Sequence, residues 1–399
     1  MIAAPPPLSL TPTVPAETAT APVPPPIPVT VTKEKKGFVR TVASIFDWIF
    51  GFVALLALLA VCSVIPVLNF LSLGYLLNVS GTVARTGRIR DAFVGVRKAS
   101  VIGSIAAGAW LVVWPARLVA DMWKDAELIA PGSSVAKAWH VGLIIVITIV
   151  LAHIVWACVR GGKIRHFLWP QPLRFIRWLR TPGKFGNLQR IVTEYVVNLR
   201  LPFYFWLGIR GFVGALAWLI VPVGVLLIAT QLPLGVSILV SLLGGILLLL
   251  VAIHLPFLQA RFAQTDRFSA IFELREVRRL FLRAPLAFWL SLLITLLFAV
   301  PLYLLKIELT PRELAWAPSL LFVLFIFPAR MLTGWAMSRA TRYEQPRHWF
   351  WRWAARLGIA PIALAYVIVV YFTPYLSWNG TWSLLEQHAF MVPAPLMAL

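Results

Sequence analysis

The sequence is short of almost everything that a soluble enzyme uses for chemistry. It has two cysteines, Cys62 and Cys158, both inside apolar runs, which excludes a disulfide framework and a cysteine-based metal cluster. Acidic residues number 15 against 36 Lys and Arg, and the apolar runs hold no paired carboxylates for acid–base work or intramembrane proteolysis. Six histidines (His140, His153, His166, His254, His348 and His388) include no i, i+4 pair, so no zincin-like site can form on one helix face. There is no Gly-x-Ser-x-Gly nucleophile elbow. Gly161-Gly162-Lys163 lacks the earlier glycine and the following Ser or Thr of a phosphate loop. The expectation is a protein that is not an enzyme and carries no cofactor.

What the chain has is hydrocarbon. Of its 399 residues 60% are hydrophobic and the mean hydropathy is +0.84, well above the roughly 45–50% apolar content of soluble domains. A bilayer core of ~30 Å needs about 20 apolar residues per helix. On that ruler spans are expected at 45–64, 101–119, 138–159, 203–230, 236–258, 285–305, 316–338 and 357–376. Residues 66–80 are awkward, because Pro66 and Asn69 interrupt the run and Phe70 to Leu77 is short. That stretch is expected to be a short, broken second crossing or a re-entrant half-helix. The fold class is an all-α polytopic bundle of eight to nine passes with interfacial amphipathic helices.

The positive charge is strongly segregated. Of the 36 Lys and Arg, 29 lie in residues 33–40, 85–98, 160–200, 261–283 and 339–356, which are alternate gaps between the spans. Basic loops are retained on the cytoplasmic side, so nine passes would put the N-terminus inside and the C-terminus outside. The formal net charge of +21 then belongs to a lipid-facing surface rather than to nucleic-acid binding; the expected partners are anionic headgroups on the cytoplasmic face, with protein partners unknown. No basic n-region precedes a short apolar stretch, so the first span is read as uncleaved.

Three domains follow. Residues 1–36 are Pro-rich and read as a disordered cytoplasmic tail, 37–376 as the transmembrane domain, and 377–399 as a short extracytoplasmic tail. Three basic loops are expected to lie along the membrane surface. Arg174, Arg177 and Arg180 alternate with Phe175, Ile176 and Leu179; Phe272 to Arg283 is amphipathic; Trp349, Trp351 and Trp353 sit among Arg347, Arg352 and Arg356. Such residues anchor rings and stems near headgroups while charges stay wet.

Ionisable and polar groups inside spans are functional candidates. Arg330, just after Pro328, is the clearest; Asp47 is the acid nearest its depth and a candidate partner, and Asn69 marks the broken segment. His153 and His254 read as core histidines, with a proton relay as the alternative. Gly211 with Gly214 and Gly244-Gly245 allow close helix approach. Asn78 and Asn379 match glycosylation sequons by chance.

An order of features recurs. Pro66, an apolar stretch and Arg88-Ile89-Arg90-Asp91-Ala92-Phe93 are followed later by Pro256, Phe257 to Phe262 and Arg267-Phe268-Ser269-Ala270-Ile271-Phe272. A weaker third copy would begin at Pro328 and run through Arg339 to Arg347. Gly74-Tyr75-Leu76-Leu77 followed by Arg85 and Gly87-Arg88 resembles bacterial polytopic membrane proteins classed as domains of unknown function. That resemblance implies a bacterial inner-membrane location and brings no catalytic residues. Two functions are carried forward: non-enzymatic membrane organisation with lipid or partner binding, and a small-solute transporter or channel built on the repeat.

Overall fold

The computed structural model describes residues 38–180, 183–304, 316–377, 380–385 and 390–391. The Pro-rich segment 1–36 lies outside them, as do Asn379 and the whole outer gap at 306–315. The compact unit begins at Ser44. Every regular element described is helical. In chain order these are α1 (Phe38–Val64), α2 (Asn69–Thr86), the 3-10 helix η1 (Ile89–Ala92), α3 (Val96–Ile129) and α4 (Ser134–Val159). Short helices α5 (Ile164–Leu168), α6 (Pro172–Leu179) and α7 (Lys184–Leu199) lead to α8 (Leu201–Ala229) and α9 (Leu234–Thr265). A second 3-10 helix, η2 (Phe268–Phe272), precedes α10 (Leu274–Arg283), α11 (Pro285–Leu304), α12 (Trp316–Thr341) and α13 (Trp349–Leu376).

Seven of the described helices are long and apolar enough to cross a membrane, or eight if α10 and α11, bent by 114° at their junction, count as one span. Pro115, Pro222, Pro256, Pro301 and Pro328 all lie inside continuous helices. Proline survives there because neighbouring groups satisfy the freed carbonyls.

The awkward stretch at 66–80 resolves into helix. Pro66 sits in the turn after α1, where Val67 takes φ 70°, and Asn69 opens α2 rather than interrupting it. At 18 residues α2 is ~27 Å long. It contributes Leu73, Leu77 and Ala84 to one apolar core, shared with α8 to α13. Its other side gives Tyr75, Leu76, Val79 and Val83 to a second core built with α1, α3 and α12. Glycine makes that centrality possible: a Cβ on Gly74 would overlap the carbonyl of Tyr204 on α8, and one on Gly208 would overlap the carbonyl of Phe70. Backbones approach this closely only where one helix lacks a side chain.

The third expected surface segment is different from the other two. Trp349, Trp351, Trp353 and Arg356 form the first turns of α13 and run straight into the span, because nothing between Trp349 and Ile359 breaks the helix. By contrast α10 is separated from α11 by Ala284, which leaves the helical region at φ −138°, ψ 55°.

The first two copies of the recurring pattern share a backbone path. Gly87 ends α2 at φ 69°, ψ 12° and Asp266 ends α9 at φ 55°, ψ 21°. Arg88 and Arg267 are then extended at φ −114°, ψ 117° and φ −106°, ψ 125°, and each leads into a 3-10 helix. After α12 the chain passes without a 3-10 helix to α13, so the third copy does not share the path.

Candidate functional site

The structure separates the three intramembrane candidates. Arg330 is 4% exposed, and its Nη1 donates to Oε1 of Gln259 at 2.7 Å. Gln259, itself fully buried, donates from Nε2 to the carbonyl of Phe390 at 2.6 Å. One buried amide thus bridges the guanidinium on α12 to the C-terminal segment. Phe390 also meets the ring of Tyr366 on α13, 5.9 Å between centroids, and the 3-10 helix Gly380–Leu385 tucks Ser383 and Leu384 inside. The described part of the tail after α13 is therefore packed into the bundle.

Asp47 does not reach this cluster: it lies on an exposed face of α1, so the candidate Asp47–Arg330 pair is not formed. Asn69 is buried at the opposite end of α2 from Arg85, and its Oδ1 lacks a partner. Gln259 is the polar residue that sequence reasoning passed over. Its signal was present, as a lone amide three residues after Pro256 in an otherwise apolar run. His153 behaves as a structural group, with Nε2 2.7 Å from the carbonyl of Phe167.

A second constellation lies where the basic connections meet. Hydrogen bonds tie them together: Arg342 Nη2 donates to Gly87 O at 3.3 Å, Arg347 N to Leu282 O at 2.9 Å, and Tyr195 Oη to Lys98 O at 2.8 Å. Arg85 Nη1 donates to Ala263 O at 2.8 Å, and Gln264 Nε2 returns to Ala84 O at 3.3 Å. These last two bonds are reciprocal. In each helix the residue two before the cap reaches the carbonyl three before the other cap. The C-termini of α2 and α9 are thus related by a local two-fold arrangement.

Glu273 and Asp266 at this end are engaged. Glu273 receives Arg261 at 3.1 Å and Arg267 at 3.2 Å, and Asp266 pairs with Arg210. The sequence-expected anchors point outward: Arg174, Arg177 and Arg180 are exposed, as are Trp349, Trp351 and Trp353. On α6, Phe175 turns the other way and meets Trp156 of α4 at 5.3 Å between centroids.

Beside this end opens a cavity of about 440 Å³ between α9, α10, α11 and α13. Its wall is apolar, with Ile253, Phe257, Phe288 and Ile359; Arg278, Arg356 and His254 are its charged or titratable groups. Phe257 and Phe288 stack at 4.2 Å. A space of that size is within the range of small-molecule sites. An apolar slot bearing two guanidinium groups is suited to an amphiphile with a negative head. Among the described residues no group of three or more His, Cys, Asp or Glu could hold a metal ion.

Neither the curated proteins nor the solved structures compared with this chain match it. A family model described as "Protein of unknown function (DUF4013)" matches residues 202–309. That stretch runs from α8 to α11 and holds the second copy of the recurring pattern, whereas Gly74-Tyr75-Leu76-Leu77 falls outside it. Over about a quarter of its length, and over most of the cavity wall, the chain is similar to a family of uncharacterised proteins.

Proposed function

We propose that this chain is a nine-pass, non-enzymatic protein of the bacterial inner membrane whose basic cytoplasmic face organises anionic lipid. The nine passes are α1, α2, α3, α4, α8, α9, α11, α12 and α13. Here α2 crosses inside a protein sheath, while α6 and α10 lie along the interface. The observation that carries this reading is the hydrogen-bonded convergence of basic connections at one end of the bundle. Each Lys or Arg near an anionic surface contributes about 1 kcal/mol of attraction, and exposed Trp349, Trp351 and Trp353 match the aromatic belt at headgroup level.

Reporter fusions and vesicle experiments test it together. Fusions within 170–185 should report the cytoplasm and fusions near residue 390 the opposite compartment. Purified protein should sequester anionic phospholipid from mixed vesicles in a salt-sensitive way. Both fusions in one compartment, or no preference for anionic over zwitterionic lipid, overturns the proposal.

A transporter built on duplicated halves is the second reading, and the reciprocal Arg85–Ala263 and Gln264–Ala84 bonds favour it. Paired repeats commonly flank a substrate path near the bilayer centre. Solute flux in proteoliposomes that is abolished by Arg330→Gln would establish it; sealed vesicles with no flux for any solute class would dismiss it.

A further inference from the structure

We propose that the cavity between α9, α10, α11 and α13 is a discrete site for one molecule of anionic phospholipid. Its acyl chain lies along α9, and its headgroup phosphate is clamped by Arg278 and Arg356. The inference rests on the lipid-binding reading above and gives it a specific place.

Shape comes first. Leu249, Ile253 and Phe257 line the cavity at four-residue intervals, so they share one face of α9. From Leu249 to Phe257 that face is ~12 Å long. Phe288 and Ile359 close the slot from α11 and α13. Hydrocarbon fills such a space without leaving a polar group unsatisfied, which a hydrophilic solute would not.

Charge comes second. Arg278 and Arg356 both line the cavity, and neither pairs with a carboxylate among the described residues. The nearby acids are committed to Arg261, Arg267, Arg210 and, at 4.0 Å, Arg279. Arg356 is held in place by ring faces, 5.9 Å from the centroid of Phe281 and 5.5 Å from that of Trp353. Each guanidinium can offer paired N–H donors to phosphate oxygens, and the two line the same cavity. His254 lines the same slot with Nδ1 committed to the Leu250 carbonyl at 2.7 Å, so Nε2 is the ring atom turned to the ligand. The 114° bend between α10 and α11 gives the cavity its roof: α10 buries Val277 and Leu280 and carries Arg278 at the rim.

The test uses the full-length protein, delipidated in mild detergent, with phosphatidylglycerol or phosphatidylcholine added back and counted by native mass spectrometry. Wild type should retain one phosphatidylglycerol per chain, preferred over phosphatidylcholine by about tenfold or more, because the choline of phosphatidylcholine offsets its own phosphate charge and is repelled by the two guanidinium groups. Arg278→Gln with Arg356→Gln should erase the preference. Ala360→Trp, which fills the slot from α13, should expel both lipids. Arg174→Gln with Arg180→Gln, on the same basic face but away from the cavity, should leave the count unchanged. On the wild-type protein, a diazirine-bearing acyl chain should mark residues 249–257 and 282–288, a readout that needs no variant to fold.

Retention of the wild-type preference in the double variant, or cross-links scattered over α4 and α8, overturns the site. If the cavity variants and the Arg174/Arg180 variant lose lipid equally, the face binds diffusely; the site then falls while the broader reading stands. Absence of any anionic preference in wild type removes both. A shift from dimer to monomer with Ala360→Trp would make the occupant a second copy, and would equally overturn the proposal.

Discussion

Helices α2 and α4 invert the rule that governs soluble proteins. α4 is almost wholly apolar, yet it buries only Ala136, Leu143, Val150, Trp156 and Ala157 of its 26 residues. α2 carries Asn69, Ser72, Asn78, Ser80, Arg85, two glycines and two threonines, yet buries 13 of its 18 residues. In hydrocarbon the apolar side chain gains nothing by hiding, because lipid is as apolar as leucine. Association is instead driven by close packing and by hydrogen bonds that lipid cannot supply. The small and polar helix therefore goes to the centre, and the greasy one faces outward on α3. Arg330 and Gln259 follow the same logic, hydrogen-bonded to one another inside the bundle, with Gln259 also bonded to Phe390.

That contrast is open to direct attack. The largest effect should come from Gly74→Leu or Gly208→Leu, where any side chain strikes the opposing backbone. We expect loss of monodisperse protein on size-exclusion chromatography, consistent with a cost above ~3 kcal/mol. Gly142→Leu on α4, with nothing within 4 Å of its added Cβ, should elute as wild type. If Gly142→Leu behaves like the Gly74 and Gly208 variants, the inversion is wrong.

Arg330→Leu should come next. It leaves the buried Oε1 of Gln259 without its donor and should cost about 3 kcal/mol, seen as a lower unfolding midpoint by tryptophan fluorescence. Adding Gln259→Leu should restore part of that loss, since two matched apolar groups leave less unsatisfied. A more stable single variant would show that the charge has no structural partner worth keeping.

A smaller effect tests the two-fold junction. Arg85→Ala and Gln264→Ala should each cost about 1 kcal/mol, and the double variant should depart from additivity because the two bonds share one interface. Strict additivity would mean that the two helix ends are held independently.

The smallest concerns the loop beyond α4. His166 is held below its ordinary value of 6.5 by burial, and then by the charges of Arg160, Arg165 and Lys163; its Nδ1 is buried without a partner. A depressed folded value means that the unfolded loop takes up the proton first. The loop is then stable above about pH 6.5 and loosens as pH falls below it. Hydrogen exchange of residues 160–170 should quicken on acidification while that of α2 is unchanged, and His166→Gln should flatten the response.

Much of this was legible before any coordinates. Apolar length located α1, α3, α4, α8, α9, α12 and α13, and several of the basic gaps are connections that hydrogen-bond to one another. The repeat was visible from Arg88 and Arg267, and its first two copies share a backbone path, although the third does not. What the ruler left open was α2, expected as a broken crossing or a re-entrant half-helix and found as one helix over Asn69–Thr86, since length and hydropathy measure what faces lipid and α2 scarcely does. Gln259 escaped for a related reason: a single amide in a long apolar run has no periodicity, and its meaning lies in Arg330, 71 residues away.

The residue inventory by itself determined the solvent. A chain this apolar, with its arginines in alternate gaps, has to place hydrocarbon against its helices and water against its loops, because the transfer energies of those side chains leave no other arrangement. Tertiary structure alone decided which helix hides, that Arg330 faces Gln259 rather than Asp47, and that Arg278 and Arg356 line one apolar slot. Those are facts about distance between segments far apart in the chain, set by backbone contact at residues such as Gly74 and Gly208, and no local pattern of hydropathy encodes them.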